Sequence, residues 1–367
     1  MIDRRSNARE FENAAVRNVH AMKPTTKRCG IASGGNWIVD RVKQTDGLAG
    51  RGMLANIRAE SQSTGGAPAN VLADLARMRS PFPLWGVGVV GDDADGRYIL
   101  NTFRGLDVNV DHIGVTRKAP TSYTDVFNDE KSGDRAFYHQ RGANALFAPA
   151  AVPVSKLTCR IFHLGYILLL DAMDKPDRRH GTVAAGLLRR LQKAGILTSV
   201  DVVSEEGDRF RTFVPPALRY VDYLILNEIE TARTVGRTVR RSDGSLDQRA
   251  LIESVDALYE HGAMRLVAVH MPEGVYGRTL DGKRFSRGSL RLPRGFIAGA
   301  VGAGDAFCAG MLYGLHEEWA IEESVHLGSC CAAASLSAPG ATEGVRPLRE
   351  VLAIGRRFGE RPPPVKV

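Results

Sequence analysis

Between residues 160 and 270 the chain switches repeatedly between two hydrophobic periods, and this limits its architecture more than any other feature. Residues 160–170 form a near-continuous apolar run suited to a buried strand. Residues 182–194 then place Val183, Leu187, Leu188 and Leu191 on one helical face. Strand patterns return at 196–203 and 223–226, a helical stretch follows at 251–260, and another strand comes at 265–269. Strands separated by helices and short links do not pair as hairpins. They lie parallel, and the connecting helices cover both faces of the sheet. From Ala303 to about Arg357 the pattern is mostly helical. At 367 residues, 44% of them hydrophobic, the chain can bury a sizeable core as one large α/β domain or two modest ones. No internal repeat interrupts this reading.

Two regions break the rhythm. Segments at about 42–63 and 119–142 read as strands without intervening helices, the second with a turn over 131–134 between alternating runs. They are expected to form a small β-sheet that projects from the body as a lid and excludes water when closed. Residues 1–28 are polar and lack a β pattern, and are expected to be a poorly ordered extension or to carry one short helix. The 359–367 tail holds Pro362, Pro363 and Pro364 and should be extended.

Charge and cysteine content remove several classes of function. The formal net charge of +8 suits anionic ligands, but 49 basic residues are scattered among 41 acidic ones without a long basic run. A nucleic-acid partner is therefore not expected. Cys29, Cys159, Cys308, Cys330 and Cys331 form neither a regular disulfide framework nor a CxxC pair, and no HExxH helix offers a zinc site. The longest apolar run, 164–170, is far too short to cross a bilayer. The N-terminus has no apolar signal core and carries Asp3, Glu10 and Glu12, so a cytoplasmic location without a membrane partner is the expectation.

The chemistry concentrates in residues 299–312, GAVGAGDAFCAGML. Gly302, Ala303 and Gly304 precede Asp305, and Phe307, Met311, Leu312 and Leu315 then recur at helical spacing. Small residues at a helix mouth let a ligand approach the backbone, and the first N–H groups there attract phosphate. A carboxylate at this place can take a proton from a nucleophile attacking that phosphate. The same residues also fit a plain loop in which Asp305 caps the helix.

Two glycine patterns point elsewhere. Gly86, Gly88 and Gly91 match GxGxxG, but they lie within the apparent strand LWGVGVVG, and Asp92-Asp93-Ala94-Asp95-Gly96 is not a clean helix start. Residues 277–283 match GxxxxGK, but Arg284 stands where a P-loop needs Ser or Thr, and VYGRTLDGKRF reads as a hairpin turning at Leu280-Asp281-Gly282.

Three motifs in order carry a resemblance. Gly65-Gly66-Ala67-Pro68-Ala69-Asn70-Val71 precedes a helix, Asn227-Glu228-Ile229-Glu230 follows a strand, and Gly302-Ala303-Gly304-Asp305 lies downstream. Together they resemble the PfkB or ribokinase-like family of carbohydrate kinases over roughly residues 29–358. Gly34 to Asp40 looks like the family's first strand with its substrate-binding Asp, and Gly88 to Gly96 like its VGxDxxG turn. The resemblance implies a ribokinase-like three-layer αβα sandwich with a small β-sheet lid. It implies ATP and Mg²⁺ as cofactors, and transfer of the γ-phosphate to a hydroxymethyl group of a sugar or nucleoside.

Residue by residue, it implies Asp305 as the general base, with Gly302, Ala303 and Gly304 as the backbone anion hole. Asn227 and Glu230 would organise Mg²⁺ and phosphate oxygens, Glu230 through water. Gly274 and Gly340 fall on the nucleotide side. Asp40, Gly65, Gly66 and Asn70 match sugar-binding positions, and Arg141 and Asn144 lie where the lid rejoins the body. Two departures stand out. Gly299-Ala300 replace the usual Asp-Thr, which puts a monovalent-cation requirement in doubt. Met271 replaces a small residue in the turn after the strand, which would narrow the nucleotide approach, with His270 either touching nucleotide or packed. A sugar kinase is expected, with a nucleoside kinase and a non-catalytic sugar-binding protein as alternatives. Exposed lid edges are compatible with a homodimer.

Overall fold

The structure is a computed structural model that describes residues 28–132, 134–203 and 207–367. The extension expected over 1–28 lies outside the described residues except for Arg28, whose guanidinium donates to the carbonyls of Leu157 and Ala194, each at 2.7 Å.

The strands are β1 (Ile31–Gly35), β2 (Ile38–Thr45), β3 (Ile57–Gly65), β4 (Leu84–Gly91), β5 (Asn109–Thr116), β6 (Ser122–Asp129), β7 (Arg135–Gln140), β8 (Ile161–Ile167), β9 (Pro176–Asp177), β10 (Gly181–Thr182), β11 (Leu197–Val202), β12 (Tyr223–Asn227), β13 (Leu266–Met271), β14 (Gly274–Thr279) and β15 (Arg284–Gly288). The helices are α1 (Ala67–Arg77), α2 (Ala94–Gly105), α3 (Val183–Lys193), α4 (Arg209–Leu218), α5 (Glu228–Val235), α6 (Gln248–Leu258), α7 (Ala303–His316), α8 (Ile321–Ser335) and α9 (Leu348–Phe358). Among the described residues, nine strands form one sheet in the order β15-β14-β13-β12-β11-β8-β1-β4-β5. It is parallel from β5 to β13, and β14 and β15 join antiparallel.

Both faces of this sheet are buried, as the helix crossovers require. Along β12, Tyr223 and Ile225 enter one apolar layer with α1, α7 and α8, while Leu224 and Leu226 enter the other with α3, α4 and α6. The strand period of two thus distributes one run between two cores. Helix starts follow side-chain capping. Thr182 accepts from Ala185 N ahead of α3, and Asp247 accepts from Ala250 N ahead of α6.

Asp93 likewise caps α2 by accepting from Gly96 N at 2.8 Å, so a helix does open after β4, contrary to the expectation from the sequence. The GxGxxG glycines serve packing instead. A Cβ on Gly86 would lie 2.8 Å from the Trp37 ring, and one on Gly88 would overlap it. Trp37 is wholly buried, donates from Nε1 to Val87 O at 2.9 Å and meets Phe103 edge-on at 4.9 Å between centroids. The second glycine pattern is the β14–β15 hairpin.

A separate four-stranded sheet, β3-β2-β6-β7, forms the lid. Its strand β2 begins at Ile38, so Asp40 belongs to the lid and not to the first strand of the main sheet, which ends at Gly35. The tail forms no helix and is docked on the body. Arg361 N donates to Ser289 O at 2.8 Å, and Val365 is buried beside β15.

Candidate active site

Parallel strands end where the chain turns into helices, and the carboxyl end of such a sheet is where ligands gather. Here that end carries Asp201 of β11, Asn227 at the end of β12 and the mouth of α7, with Asp40 facing it from the lid. Asp305 lies in the first turn of α7 and is 6% exposed. It does not cap its helix. The N-cap is Gly302, at φ +77° and without a side-chain cap bond. Asp305 instead accepts from Asn70 Nδ2 at 2.7 Å and from the Tyr166 hydroxyl at 3.2 and 3.3 Å. Burial pushes its carboxyl up to about 6, with the Asn70 and Tyr166 hydrogen bonds opposing the rise. The capping alternative therefore gives way to an oriented buried carboxylate.

Asp40 belongs to the same electrostatic cluster. Burial pushes its carboxyl up to about 6, opposed by a hydrogen bond from Thr124 and reinforced by the Asp305 charge. A Cβ at Gly65, on the neighbouring strand β3, would overlap the Asp40 carboxylate, so a side chain there would displace it. Gly66 serves as the N-cap of α1 at φ +92°, and Asn70 follows one turn later, 5% exposed.

Asn227 and Glu230 form a capping box at the start of α5. Asn227 Oδ1 accepts from Glu230 N at 2.8 Å and Glu230 Oε2 accepts from Asn227 N at 3.0 Å. The NxxE spacing is thus the spacing of a helix start, and it brings Glu230 beside Asp201. Burial, then the charges of Glu230 and Asp305, drive the Asp201 carboxyl well above the usual range. Glu230 and Asp201 offer hard carboxylate oxygens next to the helix mouth, a donor set that fits Mg²⁺ arriving with phosphates. Among the described residues no group of three metal-ligating side chains converges, so a resident metal cage is absent there.

Other expected residues are placed differently. Asn144 is fully buried, and its amide is spent on the Trp37 backbone, accepting from N and donating to O, each at 3.1 Å. It pegs the crossing from β1 into the lid and is not exposed at the surface of the site. Arg141 pairs with Asp171 at 2.8 Å on a half-exposed surface. Gly274, at φ +149°, opens the β14 hairpin strand, and Gly340 lies against Glu343. Met271 is 7% exposed and packs into the core. His270 packs on Phe307 with ring centroids 5.2 Å apart, and burial lowers it to about 4, which keeps it neutral.

Sequence reasoning passed over Tyr166, Asp201 and His139. Asp201 had a signal, an acid breaking the apolar run of β11 near its carboxyl end. His139 had none. It shares the Asp40 face of the lid through the register Asp40–Thr124–His139, and its Nδ1 lies 3.0 Å from Thr124 Oγ1.

Comparison with known proteins adds a family. The model described as pfkB family carbohydrate kinase matches residues 30–347. An ATP-dependent ribose-1-phosphate kinase of Halopiger xanaduensis is 26% identical over 306 residues, covering 83% of this chain and 88% of that protein. A 5-dehydro-2-deoxygluconokinase of Listeria innocua is 23% identical, covering 80% and 87%. A ribokinase of Arabidopsis thaliana complexed with ribose and ATP superimposes with a TM-score of 0.71 at 20% identity, over 89% of this chain and 98% of that one. No helix among the described residues is long and apolar enough to cross a membrane.

Proposed function

The chain belongs to the pfkB family of carbohydrate kinases, and from that premise we propose that it transfers the γ-phosphoryl group of ATP to a hydroxymethyl group of a sugar or sugar-like alcohol, with Asp305 as general base. The observation that carries this is the Asp305 carboxylate, held by Asn70 and Tyr166 beside a helix mouth of small residues. The substrate hydroxyl sits between Asp305 and the phosphate. Its oxygen forms the bond to phosphorus, the bond to the bridging oxygen of ADP breaks, and the hydroxyl proton passes to Asp305. Backbone N–H groups at Gly302, Ala303 and Gly304 face the phosphoryl oxygens and steady their charge without reorganising. Asp40 fixes sugar hydroxyls from the lid. Asn70 acts on the base, which its amide orients, more than on the sugar. When bound with ATP, Mg²⁺ neutralises phosphate charge, and Glu230 with Asp201 would hold it through its water shell.

Lid register favours a sugar over a nucleoside. Tyr123, Phe127 and Tyr138 pair in register with Val39, Lys43 and Asp125, on the face opposite Asp40. There Arg41 stacks on Tyr123 at 4.2 Å. Of the four lid aromatics only Phe137, through Val126 and Val42, shares the Asp40 face, too little to sandwich a base. A panel of pentoses, hexoses, their 1-phosphates, deoxygluconic acids and adenosine, with ATP consumption as readout and with and without potassium, tests the assignment. Turnover of a sugar or sugar acid well above adenosine is expected, with little potassium activation because Gly299 and Ala300 bring no acidic side chain. Turnover of adenosine alone would replace this reading with the nucleoside one, and sugar binding without ATP binding with the non-catalytic one.

The acid limb of activity has a definite sign. Asp305 accepts a proton only when ionised, so kcat/KM should fall as pH drops through about 6, a limb shared with Asp40. Stability moves the other way. The folded-state value of about 6 lies above the ordinary 3.8, so the folded protein holds this proton more tightly than the unfolded chain. Its contribution to stability grows as pH falls from about 6 to about 4 and is lost as pH rises through 6. Thermal melts across that window, wild type against Asp305→Asn, read this difference. An identical pH slope in both would place the proton elsewhere.

A further inference from the structure

Four buried polar atoms on α1 lack a hydrogen-bond partner. Three are acceptors, Oδ1 of Asn70 and both carboxylate oxygens of Asp74, and the fourth is a donor, Nε of Arg77, which reaches neither. Asn70 and Asp74 are four residues apart on one helix, so their side chains lie on one face, one above the other. Asp74 is fully buried and Asn70 is 5% exposed, so bulk water does not satisfy either. A buried acceptor without a donor costs on the order of 1–3 kcal/mol, and a charged one more. An ionised Asp74 would add acceptors to acceptors. One proton on Asp74 gives Asn70 Oδ1 the donor it lacks, because a neutral carboxylic acid donates.

We propose that Asp74 is a neutral acid whose hydroxyl donates to Oδ1 of Asn70, locking the Asn70 amide with its NH₂ toward Asp305 and so keeping the base an ionised acceptor. This makes Asp74 a positioning residue for the phosphotransfer proposed above and rests on that reading for its role. Asn70 has two rotamers that exchange its oxygen and nitrogen. With NH₂ toward Asp305, that carboxylate is an acceptor and the proton resides on Asp74. Flipped, the amide oxygen would need a donor at Asp305, which would be protonated and useless as a base. Asp74 thus decides which of two buried acids holds the proton.

The surroundings agree. The titratable groups that act on Asp74 are Asp305 from α7, Glu343 from the loop after α8, Cys331 from α8 and Arg77 from its own helix. Burial, then the Asp305 charge, drives the Asp74 carboxyl well above the usual range. The nearby Arg77 charge opposes that rise without overcoming it. No ion pair joins Asp74 to a cation among the described residues, and its oxygens remain orphans in spite of Arg77.

Three variants and one spectrum test this. Asp74→Asn keeps a donor toward Asn70 Oδ1 and should retain most turnover. Asp74→Leu removes the donor with the same heavy-atom branching and should lower kcat roughly 10- to 100-fold with sugar KM little changed, while its kcat/KM acid limb moves to higher pH. The infrared difference spectrum of wild type minus Asp74→Asn at neutral pH should show the C=O stretch of a neutral carboxylic acid. That band should persist in Asp305→Asn, where no turnover is needed to see it. A carboxylate band in its place, or a spectrum that responds to added potassium or sodium, would overturn the proposal in favour of an ionised or cation-bound Asp74. Equal losses in Asp74→Asn and Asp74→Leu would also overturn it. If wild type phosphorylated nothing in the panel while the neutral-acid band remained, the functional reading would fail and the buried proton would stand.

Discussion

Asp305→Asn should fold normally and lose roughly 10²- to 10⁴-fold in kcat, with substrate binding nearly intact. The asparagine oxygen can still accept from Asn70 Nδ2 and the Tyr166 hydroxyl, the bonds that hold the native side chain at 2.7 to 3.3 Å. What it cannot do is take a proton at neutral pH. The variant also removes a carboxyl raised to about 6 by burial. Above pH 6 it should therefore be as stable as wild type or more so, by on the order of 1–3 kcal/mol. Steady-state kinetics with the preferred sugar, paired with calorimetric melts at pH 8, separates the two effects. Retained turnover would remove Asp305 from the chemistry, whereas loss of both turnover and melting temperature would make it a structural residue.

The second large effect is expected at Gly302. Its φ of +77° is left-handed backbone, which costs an L side chain roughly 1–2 kcal/mol. Its Cβ would also sit 2.6 Å from Ala341 O and Cβ. Gly302→Ala must therefore either shift the loop that carries Ala341 or rotate the first turn of α7, and either displaces the N–H groups that we propose face phosphate. A displacement near 1 Å is worth on the order of 10²-fold in rate. Gly304→Ala is the control two residues on. Its Cβ would meet His270 Cε1 at 3.1 Å, a side-chain ring that can give by a few tenths of an ångström. The loss should be much larger for Gly302→Ala than for Gly304→Ala in kcat at saturating ATP. Equal, small losses would show that the backbone of this turn does not contribute to charge stabilisation.

Several assignments were legible because they depend on local rules. The alternation from 160 to 270 specified parallel strands and covering helices, and β8, α3, β11, β12, α6 and β13 lie within a few residues of the expected bounds. The small residues before Asp305 marked a helix mouth, whereas the capping box formed by Asn227 and Glu230 came only with the structure. Other features were hidden. Asp93 caps α2 although Asp92-Asp93-Ala94-Asp95-Gly96 looks unfavourable, since one well-placed cap outweighs a glycine in the first turn. Asn144 looked available for substrate and is consumed by Trp37 from a distance of 107 residues in sequence.

By itself the sequence determined the sheet, its helix layers and the helix start of small residues before Asp305, because hydrophobic period and backbone sterics act over a few neighbouring residues. Tertiary structure alone decided that Asp40 sits on the lid above Gly65, that Tyr166 and Asn70 grip Asp305, and that Asp201 stands beside Glu230. It also decided which carboxyls are pushed up, since that depends on how much water and which charges surround each group, and residues far apart in the chain supply both.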